Sequence, residues 1–144
     1  MKMLDTARKM VLGDLPQAPV AKLIGFKLIE VEPGYAVVEL ETNESHANPM
    51  GTLHGGILCD IADAAMGIAF ASFAEEGESF TTIEMKINFL KPVWKTRLRA
   101  SGKVVKRGKS IGYVECDIRN DQGDLIARAS STCMMLRGPK AAGR

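Results

Sequence analysis

The chain has 144 residues, 46% hydrophobic and 25% charged, enough for one domain with a real core and typical of a globular protein. A formal net charge of +2 is too small to argue for a nucleic-acid partner, and no apolar run reaches the length of a membrane-spanning helix. Cys59, Cys116 and Cys133 are odd in number and lack metal-ligand spacing, so they read as reduced core thiols in a cytoplasmic protein.

In chain order, Leu4 to Leu12 has the pattern of a short amphipathic helix, ended by Pro16 and Pro19. It lacks the long apolar core of a signal peptide. Val20 to Ile24 reads as one more helical turn. Phe26 to Glu32 and Tyr35 to Glu41 alternate in period two around the turn dipeptide Pro33-Gly34, which predicts a hairpin. After a loop and a long apolar stretch, Thr81 to Leu90 alternates again. Trp94 to Lys106, Ser110 to Asn120 and Leu125 to Leu136 follow as strands. Arg107-Gly108-Lys109 and Asp121-Gln122-Gly123-Asp124 are their turns. Short connections favour antiparallel neighbours, so the segments after the helix are expected to form a meander. A single apolar helix needs a sheet to bury it, and the sheet is expected to curl round it. The fold class is α+β, one domain over residues 1–137, with residues 138–144 expected to be a disordered tail. No repeat or low-complexity tract interrupts it.

The loop and helix carry the chemistry. Asn48-Pro49-Met50-Gly51-Thr52-Leu53-His54-Gly55-Gly56 reads as loop, its two final glycines free to use backbone angles closed to other residues. It delivers backbone N–H groups to the start of a helix that begins at Ile57, a place where negative charge is favoured. Helical spacing puts Ile57, Ile61, Ala64, Ala65, Ile68 and Ser72 on a core-facing stripe, with Asp63 on roughly the opposite side. Its neighbours one turn away, Cys59 and Gly67, are small and leave room for a guest molecule. Pattern alone also allows Asp63 to be a solvated group beside Asp60. The low polarity of the helix favours a buried carboxylate, which needs a partner or a task.

The order Asn48, Gly51-Thr52-Leu53-His54-Gly55-Gly56, then Asp63 nine residues after the His resembles the hotdog-fold acyl-CoA thioesterases. The similarity is to the phenylacetic-acid-degradation type, related to the 4-hydroxybenzoyl-CoA thioesterases. Thr82-Ile83-Glu84-Met85-Lys86-Ile87-Asn88-Phe89-Leu90-Lys91-Pro92 resembles the strand after the helix in that branch, and the two later turns are similar as well. The resemblance implies a curled antiparallel sheet wrapped round one long central helix. It implies that the Gly55 N–H polarises the thioester carbonyl and that Asp63 acts as general base or nucleophile. Asn48 would help position water or thioester, and Thr82, with Thr81 adjacent, would orient the acid or the water. It also implies a homodimer or homotetramer with sites at the dimer interface, acyl-CoA as substrate, and no cofactor.

The chemistry stands on the residues too. Thioester hydrolysis needs a donor for the developing oxyanion and a base or nucleophile for attack. A helix N-terminus supplies the first, and a carboxylate whose pKa is raised by burial supplies the second. Gly55 and Asp63 are eight residues apart, about 12 Å along a helix, too far for one carbonyl to meet both within one chain. Two helices packed antiparallel across a two-fold axis remove the difficulty.

Other residues read more modestly. His54 is expected to shape the loop by hydrogen bonding, placing it with Gly56 at the substrate-binding rim. His46 is expected at the surface, Cys59 in packing, and no metal site is expected from two His and scattered acids. The basic stretch Lys91, Lys95, Arg97, Arg99, Lys103, Lys106, Arg107 and Lys109 reads as solvated strand faces, with Arg107 and Lys109 as candidates to meet coenzyme A phosphates. Phe70, Phe73, Phe89 and Trp94 fit the core equally well. Two further functions are considered: a non-catalytic acyl-CoA-binding module, and an acyl-thioester dehydratase or hydratase. The acid at Asp63 argues against both.

Overall fold

Local pattern gives the elements of the computed structural model, which describes residues 1–144. Helix α1 is Met3–Leu12 and α2 is Pro19–Ile24. The hairpin strands are β1, Lys27–Glu32, and β2, Tyr35–Glu41. Helix α3 spans Gly55–Ala71, and β3 Ser79–Phe89, β4 Arg97–Arg107, β5 Ile111–Asn120 and β6 Leu125–Leu136 follow. Helices α1 and α2 both end on glycines in the left-handed conformation, Gly13 and Gly25, whose N–H groups close the last turn.

The six strands form one antiparallel sheet in the order β1-β2-β4-β5-β6-β3, curled round α3 as the sequence predicts. The expected meander holds only for β4, β5 and β6. Strand β3 pairs with β6 at the far edge, and β4 pairs instead with β2. The physical reason is the helix between β2 and β3: it carries the chain across the sheet, so β3 forms the border opposite the β1–β2 hairpin. The tail, expected to be disordered, carries a 3-10 turn at Gly138–Ala141 with Ala141 buried.

The helix lies deep because the sheet facing it has no side chain at two points. A Cβ on Gly102 of β4 would stand 2.6 Å from the carbonyl of Ala65, and one on Gly112 of β5 would collide with the Phe70 ring. Leu58, Ile61, Ala62, Ala65, Met66, Ala69 and Phe70 are buried as a result, packed against Val38, Leu98, Ala100, Val114, Ile118 and Ile126. The core stripe is therefore rotated from the predicted one. Ile57, Ala64 and Ile68 are only half-buried, because the sheet wraps more than one side of α3 and reaches residues that a simple amphipathic pattern leaves out. At the end of the helix the buried Ser72 hydroxyl accepts a hydrogen bond from Gly34 N–H at 2.7 Å and donates to Ala69 O at 2.7 Å. This fastens the β1–β2 turn to α3.

Helix α1 covers only the second half of α3. It packs on β1 and on the outer side of α3 near Ile68 and Ala71, with Lys2 paired to Glu75 at 2.6 Å and Arg8 to Glu32 at 3.1 Å. The first half of α3 keeps one bare strip. Substituting Gly102 by Ala sets a methyl group against the Ala65 peptide, and overpacking of this kind costs about 1–3 kcal/mol. Chemical denaturation should show that loss, with Gly123→Ala, where nothing lies within 4 Å but the φ of +81° is strained, losing less.

Candidate active site

The bare strip of α3 begins at its N-terminus. The helix starts at Gly55, two residues earlier than the sequence predicts, and Gly55 and Gly56 do not use the left-handed angles expected of them. Their missing side chains serve space instead. A Cβ on Gly56 would come 2.8 Å from Nδ1 of His54, and that nitrogen is the N-cap, accepting from Gly56 N–H at 2.9 Å. A Cβ on Gly55 would lie 2.8 Å from the Phe89 ring. The Gly55 N–H, first in the helix, makes no hydrogen bond within the chain. It is a free donor at the positive end of the helix dipole, walled on one side by an aromatic ring.

The loop before it is built to hold that end still. Asn48 Oδ1 accepts from Met50 N–H at 3.0 Å and Thr52 N–H at 3.1 Å, and its Nδ2 donates to Thr52 Oγ1 at 2.6 Å. The Asn48 amide oxygen is thus committed to its own loop, with one N–H left over. His46 is a correction to the surface position expected of it, being only 6% exposed. Its Nδ1 accepts from Asn43 N–H at 3.1 Å while its Nε2 donates to Ile24 O at 2.7 Å. That pairing ties the loop to the end of α2, and His46 O in turn accepts the His54 N–H at 2.9 Å.

Two turns along the strip comes Asp63. It is exposed in the single chain, which corrects the expected buried carboxylate. Cys59 and Gly67 are too small to cover it, and α1 stops short of it. The desolvated acid of the pair is Asp60, half-buried, whose carboxyl is pushed up by burial first and by the charge of Asp63 second. Cys59 is pushed up as well, by burial and then by Asp60, so it stays a thiol and not a nucleophilic thiolate. Thr82 Oγ1 reaches Asp63 Oδ1 at 3.4 Å, a long contact for an O–H donor. Of the two adjacent threonines it is therefore Thr82, not Thr81, that faces the acid.

Strand β3 makes this possible through a β-bulge between Thr82 and Glu84. Strict alternation would put Ile83 on the same face as Met85, Ile87 and Phe89. The bulge throws Ile83 outward, 53% exposed, and resets the phase, so that Phe80 and Thr82 share the helix-facing side with Met85, Ile87 and Phe89. Phe80 then lies over Gly67, Thr82 meets Asp63 and Phe89 lies over Gly55. Sequence reasoning missed Phe80, Phe89 and the bulge. The aromatics had equal claims to the core, and only the structure separates them. Phe70 is fully buried, whereas Phe89 is 55% and Trp94 61% exposed.

Gly55 and Asp63 stand on one helix and do not converge within the chain. A cavity of about 400 Å³ opens beside Gly55, lined by Thr52, Leu58, Phe89, Leu90, Lys91 and Pro92. Arg107, the last residue of β4, and Lys109, in the β4–β5 turn, lie at the other end of α3, with the Arg107 guanidinium 4.6 Å over the Phe73 ring. They are remote from their own Gly55. No group of three or more His, Cys, Asp and Glu side chains could hold a metal ion, and no helix is long and apolar enough to cross a membrane.

A family model described as the thioesterase superfamily matches residues 50–127, a span that takes in Gly55, Asp63 and Thr82 and leaves Asn48 just outside. A Saccharolobus solfataricus protein named as a candidate esterase is 35% identical over 118 residues, 82% of this chain and 84% of that protein. A Listeria monocytogenes protein named 1,4-dihydroxy-2-naphthoyl-CoA hydrolase is 31% identical over 117 residues, 81% of this chain and 95% of its own. The crystal structure of a phenylacetic acid degradation-related protein from Ralstonia eutropha is similar with a TM-score of 0.81 at 27% identity, covering 89% of this chain and 98% of that one.

The contact between Gly55 and Phe89 is open to a double-mutant cycle. Gly55→Ala should cost no more than about 1 kcal/mol of stability, because the new methyl group meets only the far end of the exposed Phe89 ring, which can swing aside. In a Phe89→Ala background the same change should lose that cost, since the two sites are coupled only through that contact. Thermal and urea unfolding of the four proteins measures both.

Proposed function

The chain belongs to the thioesterase superfamily and is a thioester hydrolase, and from that premise we propose which residues carry the reaction on an acyl-CoA substrate. One observation supports the assignment above the others. The strip of α3 that α1 does not cover and the sheet touches only along its β3 margin holds an unpaired N–H at Gly55 and, eight residues on, an exposed carboxylate touched by Thr82. The Gly55 N–H donates to the thioester oxygen and stabilises the charge that develops there. Asp63 takes the proton of an attacking water, or attacks the carbonyl carbon itself. On the first route the C–S bond breaks as the free acid forms, and coenzyme A leaves as the thiol with the proton that Asp63 took from water. On the second, coenzyme A leaves as thiolate and takes a proton from solvent, and water then hydrolyses the acyl–Asp63 anhydride to the free acid. Thr82 fixes the Asp63 carboxylate, and the remaining Asn48 N–H steadies water or thioester. His54 and Gly56 set the helix end that aims the donor.

The spacing argues for a dimer. Residues 55 and 63 are about 12 Å apart along the axis, while both groups must reach one carbonyl within ~3 Å. A partner helix running antiparallel brings its Gly55 beside Asp63 and covers that acid. The sheet offers a means of pairing. Strand β3 is an 11-residue edge whose outward Ile83 and neighbouring Leu90 are exposed, and a long open edge with apolar groups is a natural interface. Arg107 and Lys109 then contribute to coenzyme A binding only if they reach the site from the partner. The surroundings of Asp63 in the single chain do not carry a binding-only or a dehydratase reading.

Asp63→Asn keeps the shape and removes the base, so turnover of acyl-CoA should fall at least ~100-fold, the scale of a lost general base. Asp60→Asn should cost far less. Thiol release measures both, and equal losses would point to the wrong carboxylate.

Shared sites make a second prediction. Asn48→Ala and Asp63→Asn homodimers each damage both sites. Unfolded and refolded together, about half the dimers pair randomly into mixed ones, where one site takes both lesions and the other none. About a quarter of wild-type activity should return by this isologous arrangement. No recovery would mean that both residues serve one site from one chain.

A further inference from the structure

A second apolar space lies where the bare strip of α3 ends. Beneath α1 is a cavity of about 310 Å³ lined by Met3, Ala7, Met10, Leu28, Ile68 and Phe80 among others, with Thr6 its sole polar residue and no charge on its walls. That size is at the lower end for a small-molecule pocket. Two methionines give it soft walls that adapt to an irregular guest.

Its position links it to the acid. Phe80 is both a wall of this cavity and the ring above Gly67, where a Cβ would lie 3.2 Å away. Gly67 is one helical turn beyond Asp63. Thr82, the next helix-facing residue after Phe80 on β3, touches Asp63. One ring therefore separates the reacting end of the strip from the cavity. The ring is half-buried and leans edge-on against Phe70, with centroids 6.3 Å apart. From Asp63 to Ile68 and Ala71 is about 8–12 Å along the helix, within reach of a medium-length alkyl chain whose carbonyl sits beside Asp63.

We propose that this cavity receives the far end of a straight, medium-length aliphatic acyl group, and that Phe80 and α1 set the length accepted. The inference rests on the thioesterase reading and deepens it. An uncharged, almost wholly apolar lining admits a hydrocarbon end and penalises an acyl group ending in a carboxylate, which would be stripped of water with no partner. Each methylene taken from water is worth about fourfold in binding. Wild-type kcat/KM should therefore climb with chain length and then level off where the cavity is full. Lys2–Glu75 at the start of α1 and Arg8–Glu32 at its middle are exposed ion pairs that tie the roof to its surroundings only weakly.

The test compares decanoyl-CoA with butyryl-CoA. Met10→Trp fills the cavity from its half-exposed rim and should lower the ratio of their kcat/KM values at least tenfold, as expected from excluding about two methylenes. Phe80→Ala opens the passage and should raise the ratio at least threefold. Free decanoate titrated calorimetrically should bind the wild type and bind Met10→Trp at least tenfold more weakly. Thr6→Phe, on the same rim, replaces Met10→Trp if that variant melts early. Ratios within twofold of wild type in both the filled and the opened variants would overturn the proposal. So would decanoate binding that ignores the filling. If the wild type hydrolyses no acyl-CoA at all, the thioesterase reading falls, and the decanoate titration alone then decides the cavity.

Discussion

At Gly102 the β4 backbone runs so close to Ala65 that a methyl group there would stand 2.6 Å from the helix carbonyl. Together with Gly112 under Phe70, that approach lets α3 sink into the concave side of the sheet. A helix this deep needs apolar residues on most of its circumference, and nine of its seventeen are buried. Only the strip that the sheet touches along a single margin, at β3, and that α1 does not cover can carry polar chemistry. The site is located by what the packing leaves bare.

Strand β3 then gives that strip the form of a candidate site. It crosses α3 with Phe80 on Gly67, Thr82 on Asp63 and Phe89 on Gly55. Glycine at the two outer crossings lets aromatic rings lie against the helix. The bulge at Ile83 keeps the threonine and the later apolar residues in phase. Without it, Thr82 would share its face with Glu84 and Lys86, and the strand would turn charges toward the helix.

The donor end depends on small polar devices and not on packing. His54 caps the helix, Asn48 folds the loop on itself, and His46 ties that loop to α2. Each uses a side chain to satisfy backbone groups of the loop or of the element beside it, and the Gly55 N–H is left without a partner. A rigid donor of this kind costs no reorganisation as charge develops on a carbonyl oxygen. The acid end is set differently. Asp63 stands exposed, held on one side by the Thr82 hydroxyl.

The sequence by itself determined the kinds of element and singled out the loop and helix that carry the candidate site. Strands β2 and β6 fall on the bounds that alternation predicts, and the Gly-rich loop leading into an apolar helix singled out Gly55 and Asp63, because turn chemistry and side-chain period are local properties, whereas Thr82 came from the family resemblance alone. Strand order, the helix face that is buried, the surface placement of Phe89 and Trp94, the burial of His46 and the bulge at Ile83 were decided only by tertiary structure. Each of these depends on which distant backbone comes close: β4 at Ala65, β3 along α3, α2 at His46. A one-residue bulge leaves a strand's composition unchanged yet reverses the facing of every residue beyond it, so local pattern cannot report it.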